Sequence, residues 1–299
     1  MSDISDDDLL GLSEFALLPE NAEQAGVTGP LSAVHRVDAG GISALQWGDS
    51  SPRVVFFHGG GQNAHTWDTV IVGLGVPALA VDLPGHGHSA WREDGDYSPQ
   101  NNAAAVAPVI HDLAPDAELV VGMSLGGLTA IGLGAIAPQL VRELELVDVT
   151  PSALRRYAEL TTEQQGTVAL VAGERNFPSF DAILEVTIAA APHRDRKSLR
   201  RGVFHNSRRL DDGTWTWRYD SIRKIPDFDG LWDDFAGLSV PVRLVRGGNS
   251  GFVTDEDAAE LGQRATQFRG AHVVDNSGHS VQSDQPRVLV DILRGVLAS

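Results

Sequence analysis

Short apolar runs alternate with longer helical stretches along most of this chain, and this alternation restricts its fold more than any other feature. The runs are nearly continuous in apolar residues and are bounded by Gly or Pro, as strands buried on both faces are. Strands are predicted at RVVFF (53–57), ALAVD (78–82), ELVVG (118–122), LELVDV (144–149), VRLVR (242–246) and AHVVD (271–275), and helices at 101–114, 125–138 and 286–298. The predicted fold class is therefore α/β, with a mostly parallel central sheet flanked by helices.

The chain divides into an arm, a core and an insertion. Residues 34–47 alternate around Gly40 and Gly41, which predicts a hairpin that leads into the sheet. The regular strand pattern stops after residue 151, and arginine-rich helical stretches and a short strand in DDGTWTWRYD follow it. We expect this insertion to be a helical cap over the carboxyl ends of the strands, where open α/β sheets bind ligands. The predicted parts are an acidic arm (1–33), the core (34–151 and 236–299) and the cap (152–235).

A serine stands between two glycines directly after the predicted strand 118–122. The stretch Gly122-Met123-Ser124-Leu125-Gly126 leads into a predicted helix, and strand, sharp turn and helix are the context that a G-x-S-x-G nucleophile elbow requires. Glycines are needed on both sides because the backbone at the serine is strained and the strand and helix approach too closely for a β-carbon. The alternative is a polar residue in a glycine-rich turn, and the context favours a nucleophile.

A serine nucleophile requires a base and a pair of oxyanion donors. His279 lies after the last predicted strand and before the final helix, where the base of such an enzyme is expected. The backbone N–H of Leu125 and an N–H from the loop after an early strand would form the oxyanion hole. In that loop, HGGG (58–61), we assign the second donor to Gly60.

Four motifs occur in a characteristic order: HGGGQNAHTW (58–67), DLPGHGHS (82–89), GMSLGG (122–127) and SGHS (277–280). Together they resemble the α/β-hydrolase superfamily over roughly residues 34–150 and 236–299. With the cap, the chain is similar to the small actinobacterial, particularly mycobacterial, ester hydrolases of this fold. This resemblance implies a Ser-acid-His triad, cleavage of short-chain carboxylic esters and no cofactor.

The acid of the triad has two candidates. Many relatives have it in a G-x-x-D pattern after the last strand but one, but residues 247–250 read GGNS here, and neither Asn nor Ser carries a negative charge. In some superfamily members the acid lies one strand earlier, and Asp148 matches that position. We assign Asp148, with Asp255 second; Asp255 also suits a helix N-cap, and Asp82 is interpreted as a loop organiser.

Four residues are assigned to the substrate pocket: Gly59, His65, Trp67 and Met123. His65 could instead join a metal site with the histidines of the HGGG and PGHGHS loops. No carboxylate accompanies these histidines at ligand spacing, so we expect no metal. The basic stretches 192–201 and 206–210 could bind a carboxylate or phosphate group of a substrate, or form a solvated helix face.

Composition limits the partners. The formal net charge of −17 disfavours nucleic acid and anionic membranes, and the absence of Cys excludes thiol chemistry. The N-terminal residues are acidic where a secretory signal is basic, and no apolar run approaches the length of a membrane span, so we expect a cytoplasmic protein without stable membrane insertion. A neutral or apolar small molecule is the expected partner; the oligomeric state stays open.

The expected function is serine carboxylesterase activity on short-chain esters through an acyl-enzyme. The same fold also supports thioester or carbon–carbon bond hydrolysis, since fold and triad do not determine the substrate. A ligand receptor without turnover is a further alternative, and Ser250 in the usual acid position is the feature that favours it. The intact Ser124 and His279 favour an enzyme.

Overall fold

The computed structural model describes residues 11–221, 228 and 230–298, and its centre is an eight-stranded sheet. The strands of this sheet are β1 (Val34–Ala39), β2 (Ile42–Trp47), β3 (Val54–Phe57), β4 (Ala78–Val81), β5 (Leu119–Met123), β6 (Leu144–Val147), β10 (Val242–Gly247) and β11 (Phe268–Val274). Their spatial order is β1-β2-β4-β3-β5-β6-β10-β11. All six strands predicted from apolar runs are present, and each end lies within three residues of its predicted position.

The sheet is mostly parallel. β1 and β2 form the predicted antiparallel hairpin, whose turn residues Gly40 and Gly41 have φ of 63° and 83°, a conformation that glycine adopts readily. β2 is also antiparallel to β4, and every remaining pair of neighbours is parallel. The predicted α/β class with a mostly parallel sheet is confirmed.

Helices cover both faces of the sheet. The helices are α1 (Leu18–Ala25), α2 (Asp68–Leu74), α3 (Pro99–Leu113), α4 (Leu125–Ile136), α5 (Ala153–Glu159), α6 (Thr162–Gln165), α7 (Phe180–Ala190), α8 (Arg196–Asn206), α9 (Leu231–Gly237), α10 (Asp255–Arg264), α11 (Val281–Asp284) and α12 (Pro286–Leu297); 3-10 helices span Ala64–Trp67, Pro138–Leu140 and Gly166–Ala172. One buried apolar cluster includes α3, α4 and α9, and the other includes α1, α2 and α12. The strands between them are buried on both faces, as their apolar sequences predict.

The insertion between β6 and β10 has its own small core. Three short strands, β7 (Asn176–Phe177), β8 (Ser207–Arg209) and β9 (Trp215–Trp217), form an antiparallel sheet in the order β7-β9-β8. Aromatic side chains from β7, β9 and α7 pack together with Leu199 and Val203 of α8. Residues 222–227 and 229 of the predicted cap lie outside the described residues. Helix α9, which spans the predicted end of the cap at residue 235, packs on α4 in the main core.

The N-terminal arm contacts both the core and the insertion. Its first ten residues lie outside the described part of the chain. Helix α1 buries Leu18 and Ala22 against the core, while Glu20 of the same helix forms ion pairs with Arg200 and Arg201 of α8. In the ranges that the structure describes, no helix is both long and apolar enough to cross a membrane.

Candidate active site

The candidate nucleophile lies on a strained turn between β5 and α4. Ser124 has φ 51° and ψ −122°, a backbone conformation that residues other than glycine rarely adopt. A β-carbon on Gly126 would come within 2.3 Å of the Phe57 carbonyl oxygen, and one on Gly122 within 2.5 Å of Gly127 Cα. Both positions therefore require glycine, because the turn presses the helix against the neighbouring strands.

The candidate acid and base meet at the carboxyl end of the sheet. Asp148 follows the last residue of β6 and has φ 52°, and its side chain is fully buried. Its Oδ2 lies 2.7 Å from Nδ1 of His279. Because a carboxylate only accepts hydrogen bonds, Nδ1 donates and Nε2 of the neutral ring is left as an acceptor.

His279 Nε2 is the atom that would accept the serine proton. It is buried, and among the described residues no hydrogen-bond partner lies within reach of it, Ser124 included. Hydrogen bonds between nucleophile and base are often long before substrate binds. The Ser124–His279 step therefore stays a prediction.

Two residues that the sequence interpretation did not assign support this pair. Ser250, in the position where many relatives have the acid, donates its hydroxyl to Asp148 Oδ2, and the Gly247 N–H donates to Oδ1 at 2.9 Å. The ring of Phe252 stacks on His279, with centroids 3.7 Å apart and planes at 16°. The sequence GGNS (247–250) contains a signal for Ser250, since a serine stands where the acid is usual. Nothing in the sequence indicates the role of Phe252.

The alternative acid is on the surface. The side chain of Asp255 is 88% exposed and its partner is Arg246, so it does not reach His279. Nor is Asp255 the N-cap of its helix: Thr254 is the cap, in a capping box with Asp257. Asp82 accepts the backbone N–H groups of Ala64 (2.7 Å) and His88 (3.0 Å), which fits a loop organiser.

The two candidate oxyanion donors come from separate segments of the chain. Leu125 is the first residue of α4, and Gly60 is in the loop after β3. Neither backbone N–H donates to another residue in the described ranges. A β-carbon on Gly59 would lie 3.3 Å from Ser124 Cβ, so this loop runs directly beside the candidate nucleophile.

Two of the four predicted pocket residues belong to the core. Trp67 has no exposed surface and packs on Phe56, because the residue two positions after His65 in a 3-10 helix points to another side. Met123 is 1% exposed, because alternation along β5 directs it into the sheet's packed face. Their assignment to the pocket is corrected accordingly.

His65 does line a polar cavity that reaches the Gly60 loop. The wall of this cavity includes Gly60, Gly61, His65, Arg201, His205 and Tyr219. Burial lowers the pKa of His65, but the charge and hydrogen bond of Asp68, together with contributions from Glu14 and Asp82, raise this pKa to about 9. The arm residue Glu14 bonds the other ring nitrogen at 3.0 Å, and although burial opposes ionisation, hydrogen bonds from His65 and Arg36 bring the Glu14 pKa down to about 2.

Three side chains of metal-ligating types lie together around His65. His65, Asp68 and His205 place ligand atoms within 4.8 Å of one another, so a carboxylate does accompany one of the histidines, contrary to expectation. The rings of His65 and His205 are stacked, 3.6 Å apart at 13°, and two stacked rings cannot both direct an in-plane lone pair at one ion. Arg36 also lies 3.4 Å from His65 Nε2. That no metal binds stays a prediction.

The histidines of the glycine-rich loops accept backbone hydrogen bonds. His58 Nε2 accepts the Leu83 N–H at 2.9 Å, and His86 Nε2 accepts the Gly61 N–H at 3.1 Å. Burial is the main reason that the pKa of His58 falls to about 3, so the ring stays neutral and able to accept. These two side chains therefore hold the loop that carries Gly60.

Comparisons with known proteins identify the family of this chain. A family model described as Alpha/beta hydrolase family matches residues 54–292. The protein named Esterase Rv0045c of Mycobacterium tuberculosis is 75% identical over 294 residues, which cover 98% of this chain and 99% of that protein. The Probable protein phosphatase methylesterase 1 of Caenorhabditis elegans is 26% identical, over 82% of this chain and 68% of its own.

Superposition on solved structures also shows the α/β-hydrolase fold. A structure of the M. tuberculosis esterase, 75% identical, superposes with a TM-score of 0.90 over 97% of this chain and all of that one. A structure of E-2-(acetamidomethylene)succinate hydrolase, at 22% identity, has a TM-score of 0.76 over 90% of this chain and all of its own, which shows the shared fold alone.

Proposed function

Since this chain belongs to the α/β-hydrolase family and is an ester hydrolase, we propose that it is a serine carboxylesterase for short-chain carboxylic esters. Ser124 is its nucleophile, His279 its base and Asp148 its acid. The observation that carries this proposal is the 2.7 Å hydrogen bond between His279 and Asp148, at the same edge of the sheet as the strained Ser124 turn.

The reaction proceeds through a covalent acyl-enzyme. His279 Nε2 takes the hydroxyl proton of Ser124 as Oγ attacks the ester carbonyl, and the backbone N–H groups of Gly60 and Leu125 stabilise the oxyanion. The alcohol then leaves with the proton from His279, and a water activated by the same imidazole hydrolyses the acyl-enzyme. Asp148 holds the ring in the correct tautomer and stabilises its protonated form.

The insertion, residues 152–235, serves as a cap that limits the substrate. Tyr219 and Trp217 line the cavity from this side, and Val171 Cγ2 would be only 2.5 Å from a β-carbon on Gly61. Phe177, Phe180 and Trp215 pack inside the small core of the insertion, so they support this wall rather than form it. Contact this close to the Gly60 loop leaves room for short groups beside the ester.

An acyl-length series tests the proposal. We expect p-nitrophenyl acetate and butyrate to be hydrolysed faster than longer esters, with acyl-CoA and vinylogous diketones turned over more slowly. Ser124→Ala should lower kcat by several orders of magnitude and abolish labelling by a fluorophosphonate probe. Faster thioester turnover would replace the esterase assignment, and an unlabelled Ser124 in folded protein would favour a receptor.

A further inference from the structure

The polar cavity beside Gly60 has no unpaired charge to offer a substrate. Each cation in its described wall pairs with a carboxylate: Arg194 with Asp284, Arg201 with Glu20 and His65 with Asp68. Within the described ranges, no carboxylate side chain lines the cavity. An anionic group entering it would therefore compete with existing ion pairs, and a cationic group would meet only cations. A neutral group is the one that fits.

One orphaned acceptor ends a hydrogen-bond chain that begins at the backbone. The Gly59 N–H donates to Gln62 Oε1 at 3.2 Å, which fixes that amide's orientation. Gln282 Nε2 donates to the same oxygen at 3.4 Å and to Thr66 Oγ1 at 3.3 Å. Gln282 Oε1 takes part in neither of these contacts. The side chain is 1% exposed, and this oxygen has no hydrogen-bond partner among the residues that the structure describes.

A second orphaned acceptor ends an independent chain. The Arg201 guanidinium, which can only donate, contacts Gln24 Oε1, and Thr69 Oγ1 donates to that oxygen at 3.4 Å. Thr69 Oγ1 therefore accepts from Asn21 Nδ2 at 2.9 Å. This leaves Asn21 Oδ1 buried and, in the part of the chain described, without a partner. Both Asn21 and Gln282 line the cavity.

We propose that this cavity selects esters that carry a hydroxyl group near the ester bond, with Gln282 Oε1 and Asn21 Oδ1 as the acceptors. This inference rests on the esterase function proposed above. A buried acceptor without a donor is costly, so a substrate that supplies the donor recovers that cost and an analogue without it does not. The cavity has a volume of about 150 Å³, which suits a small substituent.

Matched substrates test the selectivity of the wild-type enzyme. The acyl series is p-nitrophenyl butyrate, 3-hydroxybutyrate and 3-methoxybutyrate, and the alcohol series is propyl, 2-hydroxyethyl and 2-methoxyethyl butyrate. A methoxy group keeps the oxygen but cannot donate. We expect kcat/KM for the hydroxy ester to exceed that for its methoxy analogue by about tenfold or more in at least one series. Equal values in both series overturn the proposal.

Variants assign the acceptors. Gln282→Leu and Asn21→Leu should each lower the hydroxy-to-methoxy ratio of kcat/KM at least about threefold. The control is Gln285→Leu, because Gln285 follows Gln282 closely in the chain but does not line this cavity; it should keep the wild-type ratio. The ratio does not depend on the folded fraction, because both substrates are hydrolysed by the same folded molecules. If one of the two variants does not fold, the other one still tests the assignment. An unchanged ratio in both variants overturns the assignment. Loss of all ester hydrolysis in the wild type would instead reject the proposed function.

Discussion

Two carboxylates on strand β6 and its end are both fully buried, but their surroundings are opposite. Asp148, one residue past the strand, interacts with Gly247, Ser250 and His279. Glu145, in the middle of the strand, has no partner for either oxygen among the described residues. Burial alone raises the pKa of Glu145 to about 8.

The difference follows from the hydrogen-bonding pattern of a sheet. Inside the sheet, Glu145 is in register with Val121 and Arg243, and the backbone N–H groups of the paired strands are used in the ladders. The ladder between β6 and β10 ends at the pair Val147–Val245, and beyond it the Gly247 N–H donates to the Asp148 side chain. Of these two positions, the edge is the one that supplies donors to a buried negative charge, and ligand sites of open α/β folds lie at this edge.

The largest expected effect comes from removing the charge at the edge. Asp148→Asn keeps a residue type that tolerates positive φ, but it cannot stabilise a protonated His279. We expect kcat to fall by about 10³- to 10⁴-fold, measured on p-nitrophenyl butyrate, in a variant that a thermal melt shows to be folded at the assay temperature. Asp255→Asn is the matched control and should stay near wild type. A fully active Asp148→Asn would remove the edge carboxylate from the mechanism.

The second effect concerns stability and arises inside the sheet. The folded protein holds a proton on Glu145 up to a pKa of about 8, whereas the unfolded chain releases it near 4.5. The contribution of Glu145 to stability is therefore fully present below pH 4.5 and is lost as pH rises to 8, by about 1.4 kcal/mol per pH unit. Glu145→Gln should lose this part of the slope in urea unfolding at pH 5 and pH 8. An exposed control, Glu163→Gln, should keep the wild-type slope, and an equal slope in Glu145→Gln would show that Glu145 is ionised when folded.

The same contrast explains what the sequence could and could not predict. The glycines around Ser124 are required because a β-carbon there would clash with neighbouring backbone. Asp148 can be proposed as the acid from the sequence because it follows the strand next to the elbow in the chain. Trp67 was wrongly assigned to the pocket because nearness to His65 in sequence does not fix direction in a 3-10 helix. Contacts such as Phe252 on His279 depend on loop conformations that no periodicity encodes.

A smaller effect is expected from the hydroxyl that supports the acid. Ser250→Ala removes the donor to Asp148 Oδ2, and hydrogen bonds to charged groups are worth about 1.5–3 kcal/mol. We expect kcat to fall roughly tenfold to a hundredfold. The measurement is kcat on p-nitrophenyl butyrate. Ser250→Thr, which retains a hydroxyl, is the rescue, and an unchanged kcat in Ser250→Ala would reduce Ser250 to a loop residue.

The smallest effect comes from the aromatic ring beside His279. The Phe252 ring stacks on His279, and an aromatic face attracts a cation by about 0.5–2 kcal/mol. Phe252→Leu keeps an apolar wall but removes that attraction to the imidazolium that forms as Ser124 attacks. We expect kcat on p-nitrophenyl butyrate to fall about two- to tenfold, less than in Ser250→Ala. If Phe252→Leu lowered kcat as much as Asp148→Asn, loss of the loop conformation rather than of this one contact would be the cause, because a single contact between a cation and a ring is too weak for an effect of that size.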